Sequence, residues 1–544
     1  MPDTQAPTPR PAPVAPTEDK RAWGPIRIPM FRMLWTTWLV ANICMWMNDV
    51  AAAWLMTSLT SKPIWVALVQ TASTLPMFLL GLPSGALADM LNRKHYFLFT
   101  QVWVAVVGVC LAVVVGVGWA SPMVLLMLTF ANGIGLAMRW PVFSAVVPEL
   151  VPRTSLPAAM ALNGVATNAS RIVGPLLAGA LIASLGSEWV FALNAVLSIA
   201  AAVVLLRWPY VYTPSPLGRE PLVGAMRVGL QYVSQSRHLK GVLLRTASFF
   251  FCSTGLLALL PLVAKGLHGG NANTFTILLA AMGAGAIFIT LYLPRIRQRL
   301  SGDRLLLAGT AVLAVAMLTV AAARNVWLAT PAMLLAGAAW IATANAMAVQ
   351  MQIGLPDWVR ARGMSMFQMA IMGASALGAA VWGQVATWSD VPTSVAVAAI
   401  AVIVTLFCAT RVAPEQGMLD DLTPAAHYPT ADSVVEPPTR GHVIAMVDFQ
   451  IDPAHAAEFL RLMEESRASR LRHGAVSWRL MHDVTNPGRF VEVIEDASWA
   501  DHLRRGTRVT ASDVALRNKK LAFHILPEPP LVSRFVVEPP GRHA

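Results

Sequence analysis

Between residues 31 and 410 the chain alternates long apolar runs with short polar breaks. A helix of roughly 20 apolar residues spans a hydrocarbon layer of about 30 Å. The runs predict about twelve such helices, at 31–57, 63–88, 96–118, 122–147, 158–185, 189–207, 242–265, 272–294, 304–323, 326–350, 362–386 and 392–410. Lys and Arg crowd into alternate breaks. With the N-terminus inside, one set of segments carries Lys20, Arg21, Arg27, Arg32, Arg93, Lys94, Arg153, Arg207, the bases of 208–241, Arg295–Arg304, Arg360, Arg362 and Arg411, against Lys62, Lys265 and Arg324 opposite. This positive-inside bias predicts a multi-pass protein of a bacterial-type cytoplasmic membrane, with both termini cytoplasmic.

The polar stretch 208–241 divides the spans six and six, and the halves echo each other. PELVPRTSLPAAMALN enters the fifth span as QIGLPDWVRARGMSMFQ enters the eleventh, and the break 85–94 is matched by Arg295–Arg304. Two related six-helix halves (26–207 and 242–411) are a common build of secondary transporters, with the substrate site near mid-membrane between them. After 411 the pattern changes. Residues 412–440 are a Pro-rich acidic linker. From 441 to 538 period-2 and period-3.6 patterns alternate: a strand in HVIAMVDFQI, a helix in PAHAAEFLRLMEESRASRL, a hairpin about Thr485–Gly488, a helix over 498–520 and a last strand in LVSRFVVE. The β-α-β-β-α-β order predicts a cytoplasmic ferredoxin-like domain. The fold class is therefore an all-α membrane protein with a soluble α+β module appended.

Composition agrees. Hydrophobic residues make up 56% and charged residues 13%, against about 25% charged in soluble proteins. The formal charge of +12 is accounted for by cytoplasmic loops, and no nucleic-acid partner is expected. Residues 1–25 are Pro-rich and lack the apolar core of a signal peptide, so they read as a disordered cytoplasmic tail. Cys44, Cys110, Cys252 and Cys408 sit inside apolar runs at no metal or disulfide spacing, and read as small buried hydrophobes. Neither a metal nor a cofactor is predicted.

Ionisable residues at membrane depth are costly and are usually functional. Asp49 falls midway along the first span, after Asn48. A carboxylate there is a proton-coupling candidate, protonated in one state and ionised in another; the alternative is a permanent ion pair. Arg139 in the fourth span and Arg171 in the fifth are its candidate partners. Either could instead bind an anionic substrate group or reach the cytoplasmic surface. Trp46, Gln70, Asn163, Asn168, Phe191 and Asn194 could line a pocket or serve helix packing.

GALADMLNRK, Gly85–Lys94, resembles the cytoplasmic loop signature of the major facilitator superfamily. Gly85, Leu87, Ala88, Asp89, Arg93 and Lys94 match; Met90 replaces an Arg and Asn92 a Gly. The resemblance implies that Gly85, Asp89, Arg93 and Lys94 form a gating latch between the halves, with one charge fewer than usual. Gly133–Ile182 resembles the branch that holds the enterobactin exporter and the transmembrane secretion effectors. Within it Gly174, Pro175 and Gly179 resemble the fifth-span motif of drug/proton antiporters, with small neighbours Ala161, Ser170 and Ala178. The fourth-span Arg of those antiporters is missing, its place falling near Thr129.

The module 441–538 resembles the antibiotic-biosynthesis monooxygenases, which pair into dimeric α/β barrels, most closely over Trp499–Asp513. That implies a homodimer contact, with His442, His473, His482 and His502 as conceivable acid–base groups. Regulation, dimerisation or substrate delivery is expected of it rather than catalysis. Together these features predict proton-coupled efflux of an amphipathic small molecule, such as a siderophore, drug or secondary metabolite. The alternatives are a transporter carrying a monooxygenase-like enzyme, and an importer or lipid flippase of the same fold.

Overall fold

The computed structural model describes residues 23–152, 155–208, 222–412, 421–423 and 441–537. The first half is α1 (Pro29–Leu59), α2 (Pro63–Met90), α3 (Arg93–Gly116), α4 (Pro122–Leu150), α5 (Leu156–Ser184) and α6 (Ser187–Leu206). A short helix, α7 (Leu222–Gln235), follows. The second half is α8 (Arg237–Gly266), α9 (Ala272–Arg299), α10 (Gly302–Ala322), α11 (Val326–Ile353), α12 (Asp357–Trp388) and α13 (Val391–Val412). Among the described residues, twelve helices are long and apolar enough to cross a membrane. Helix α7 lies inside the stretch expected to be a loop, and α8 begins five residues before the span limit read from hydropathy. The expected tail 1–25 and linker 412–440 fall almost wholly outside the described residues.

Polar breaks become helix starts through their caps. The Asn92 side chain accepts from the amides of Lys94 and His95 at 3.0 and 3.3 Å, so the residue that departs from the loop signature is the N-cap of α3. Ser121, Ser301 and Asn325 cap α4, α10 and α11 in the same way. Small residues then set the closest crossings. A Cβ on Gly285 would overlap the Leu334 carbonyl, one on Gly337 that of Met282, and one on Gly378 that of Phe251. These glycines let α9 meet α11 and α12 meet α8 backbone to backbone. Cys44 and Cys252 are buried as expected, whereas Cys110 and Cys408 lie on the outer surface of the bundle, where lipid supplies the apolar surroundings.

The C-terminal domain comprises β1 (Val443–Gln450), α14 (Ala456–Arg472), β2 (Ser477–His482), β3 (Arg489–Asp496), α15 (Trp499–Thr507), α16 (Ala511–Leu521) and β4 (Leu531–Val536). The strands form one antiparallel sheet in the order β2-β3-β1-β4, with Val443 of β1 opposite Asp496 of β3 and Val536 of β4. Phe449, Ile451, Phe459, Met463 and Phe490 form its core. The single helix expected over 498–520 is two. Thr510 and Asp513 form a capping box that restarts the helix, and the amides of Ala511 and Ser512 donate to the carbonyls of Thr423 and Asp421.

A charge cluster lies inside this sandwich. Glu492 is fully buried and accepts from Lys520 Nζ at 3.0 Å, Trp478 Nε1 at 2.9 Å and Ser466 Oγ at 2.9 Å, with Arg470 at 3.5 Å. Burial alone would push the carboxyl up, but Arg470 and Lys520 outweigh it and hold it at about 2.

The domain docks on α7 and the start of α12. The Arg508 guanidinium lies 4.5 Å from the Trp358 ring centroid, Tyr232 meets Trp358 edge-on at 5.6 Å, and Gln231 donates to the Ala475 carbonyl at 3.3 Å. Gly474 turns there at φ +110°, and a Cβ on it would press on Val228 and Arg508. His473 is buried at the same seam, 3.3 Å from Asp513. Burial holds it down at about 4, against the opposing pull of Asp513.

Candidate functional site

The halves meet along α2 and α12 and, on the side away from the C-terminal domain, through the ends of α1, α5, α8 and α9. Thr71 donates to the Ala376 carbonyl at 2.8 Å, and the Ile64 amide to Thr387 at 3.1 Å. On the far side, Lys265 of α8 donates to the Thr57 carbonyl of α1 at 2.8 Å. The Trp54 ring lies between the Lys265 ammonium, 5.4 Å away, and the stacked ring of Phe275, 5.6 Å away. Next to this, a Cβ on Gly179 would overlap Thr276, so α5 and α9 touch without space for a side chain. Trp54, Thr57, Lys265 and Phe275 thus seal the bundle on that side.

Below the seal, α1 and α5 carry the polar residues. Gly174 makes their contact: a Cβ there would stand 2.5 Å from the Trp46 Cβ and 3.0 Å from the Ile43 carbonyl. Asp49 follows Trp46 by nearly one turn and lies between it and Trp54. It is half-buried, and its Oδ1 has no hydrogen-bond partner; neither do Trp46 Nε1 and Asn163 Oδ1. The Arg171 guanidinium stands 5.6 Å over the Trp46 ring. Its side chain is exposed in mid-helix, on the side where α5 faces α1. Neither Asp49 nor Arg171 has an ion-pair partner among the described residues. Pro175 lacks the N–H that would bond the Arg171 carbonyl four residues back, so the helix is loosened at that point. Two turns before Arg171, a Cβ on Gly164 would meet nothing within 4 Å, which marks open space along α5.

The other sequence-selected residues go elsewhere. Asn48 turns to α6, where its Oδ1 accepts from Asn194 at 3.3 Å; Ser198 and Gln101 extend this buried track to α3. Arg139 is 3% exposed, donates to the Ala41 carbonyl at 3.4 Å and lies 5.4 Å over Trp38, inside the packing of the first half. Phe191 is a core residue. Lys94 donates to the Leu206 carbonyl, tying α3 to α6. Arg93 is the first residue of α3 and has interaction partners of its own. Gly85 and Asp89 fall in the last turns of α2, and the side chains of Asp89 and Asn168 lie outside the described residues. The four histidines do not converge: His442 pairs with Glu495, His473 with Asp513, and His502 with Asp496, while His482 stacks on Phe490.

Sequence reasoning missed the seal. Lys265 reads as an outside loop charge and Trp54 as an apolar residue of the first span. The available signal was a lone base ending a long apolar run.

Two six-helix halves closed on one side, around unpaired charges at membrane depth, define a multi-pass membrane transporter of the major facilitator class. Solved structures agree on the fold. A bacterial homologue of the human lysosomal transporter Spinster, inward-facing and unoccupied, superposes with a TM-score of 0.56 at 16% identity, covering 72% of this chain and 96% of that one. The POT family transporter PepTSo superposes with a TM-score of 0.59 at 13% identity, covering 71% and 98%. Within that class, residues 20–540 match the transmembrane secretion effector family, and the chain belongs to it. Curated relatives include the staphyloferrin A transporter of Staphylococcus aureus, 23% identical over 46% of this chain and 63% of that protein. Macrolide efflux protein A of Streptococcus pyogenes is 22% identical over 47% and 64%. The enterobactin exporter of Citrobacter koseri is 24% identical over 47% and 61%. The chain spans less than two thirds of the length of each of these relatives.

Proposed function

We propose that this protein is a proton-coupled exporter that moves an amphipathic small molecule out of the cytoplasm by alternating access. The observation that carries the reading is Asp49. It is a half-buried carboxylate below the far-side seal, with an oxygen that no group satisfies. Such a group is stable in the membrane interior only if it takes up a proton or is rewetted, which is the alternation that coupling needs. The relatives named for siderophore and macrolide export support the direction and the amphipathic cargo. The Lys and Arg distribution supports placing the C-terminal domain in the cytoplasm. The seal of Trp54, Thr57, Lys265 and Phe275 would then close the outer side, and the loop Gly85–Lys94 would close the inner side in the opposite state, with Asp89 as its acid.

The strand order and the two-layer build support the ferredoxin-like reading of the C-terminal domain. Apolar residues on its exposed strands, Met481, Leu531 and Phe535 among them, support pairing with a second copy. Its scattered histidines favour a regulatory module over an oxygenase.

The test is proton flux in inside-out vesicles with a preset pH gradient, challenged with siderophores, dyes and lipophilic antibiotics. A compound should dissipate the gradient with the wild type and not with Asp49→Asn. Undiminished flux in Asp49→Asn would refute the coupling role.

A further inference from the structure

Arg171 is a permanently charged group at membrane depth. Buried charges are kept by partners. Among the described residues, no acid lies within ion-pair distance of it, and Asp49 does not reach it. Nor does it face lipid, because its guanidinium lies 5.6 Å from the ring centre of Trp46 of α1, a helix packed among α2, α4, α5, α6 and α8. Its exposure is therefore on the inner side of α5, the side that also carries the open space at Gly164. Arg139 differs: it is buried and bonded to a backbone carbonyl.

We infer that Arg171 and Trp46 form the recognition point for the cargo, and that the cargo carries a carboxylate or comparable oxyanion beside a flat apolar ring. This rests on the transport reading above and adds the substrate class. The ring face of Trp46 attracts the cation without a hydrogen bond, which leaves the guanidinium N–H groups to clasp two oxygens of an oxyanion. The indole offers a platform for a ring next to the anion. Asp49, nearly one turn nearer the seal, repels a second anionic group. The cargo therefore binds with its acid at Arg171 and its uncharged part toward Asp49.

The test uses the full chain in nanodiscs, without any gradient, and three matched probes: 1-naphthoate, neutral 1-naphthamide and cationic 1-naphthylmethylamine. Titration calorimetry should show the wild type binding the carboxylate at least tenfold more tightly than the amide, with the amine weakest. Arg171→Gln should erase that preference, and Arg171→Lys should keep part of it. Thermal unfolding of each variant verifies the fold. The inference is overturned if the wild type does not prefer the carboxylate, a lack of binding at millimolar probe included, or if Arg171→Gln retains the preference. Because no proton gradient is involved, lost coupling and lost anion recognition fail separately.

Discussion

Replacing Glu492 by Gln should destabilise the C-terminal domain far more than its size suggests. The change removes one charge from a fully buried cluster and leaves Lys520, 3% exposed and hydrogen-bonded to Ser466, without the carboxylate that balances its charge. The carboxyl sits at about 2 against its usual 4.5, a difference worth about 3.5 kcal/mol at ~1.4 kcal/mol for each tenfold change in proton affinity. Breaking a buried ion pair on one side costs about 3–5 kcal/mol, whereas replacing both partners by apolar groups is often near neutral. For a domain of this size the single change should lower its unfolding temperature by roughly 10–20 °C. Limited proteolysis of the full chain in detergent, scanned with temperature and read at sites within 441–537, follows the domain within its own protein. Glu492→Met with Lys520→Met should recover most of the loss. A single-variant loss below about 1 kcal/mol, or a double variant as poor as the sum of the two singles, would refute the reasoning.

His473 titrates lower in the folded protein than in the unfolded chain, about 4 against 6.5, so the unfolded chain binds the extra proton between those values. Domain stability should be unaffected above pH 6.5 and fall by up to about 3 kcal/mol as pH drops from 6.5 to 4, seen as faster domain proteolysis at low pH that His473→Gln flattens. Gly378→Val forces a side chain into the Phe251 carbonyl and should cut the monodisperse fraction in detergent several-fold; Gly116→Val, where a Cβ meets nothing, should not, and equal yields would remove the close-crossing argument. Lys265→Met should loosen the far-side seal, raising maleimide labelling of a cysteine placed at Thr276 several-fold in right-side-out vesicles. Unchanged labelling would assign Lys265 no part in holding the halves together.

The legible part of the fold was the part written in long apolar runs. Twelve spans, two halves and the alternation of β1 follow from periodicity, because lipid and a sheet core each impose a regular pattern. Helix α7 was not legible. Its apolar face is covered by the C-terminal domain and α12, partners hundreds of residues away or separated by the second half of the chain. The split between α15 and α16 rests on one cap, Thr510, which hydropathy does not register. At the site, Asp49 and Arg171 stood out as charges where charge is costly. Their separation from each other, and the burial of Arg139 against Trp38, depend on which faces of α1, α4 and α5 meet. Helical spacing within one span does not fix that. The Lys265–Trp54 seal joins a loop-like base to an unremarked aromatic residue and exists only in three dimensions.

The docking seam also bears on how the protein is made. Trp358 and Tyr232 wait at the surface of the bundle for Arg508 and Ala475, which leave the ribosome after all the membrane helices. The seam joins residues far apart in sequence, so it closes only after the membrane helices have been inserted and α7 and α12 have come together. A chain truncated before 441, or one whose second half is misassembled, presents that aromatic surface uncovered. Closure of the seam thereby depends on correct assembly of the second half, and an open seam leaves that aromatic surface uncovered.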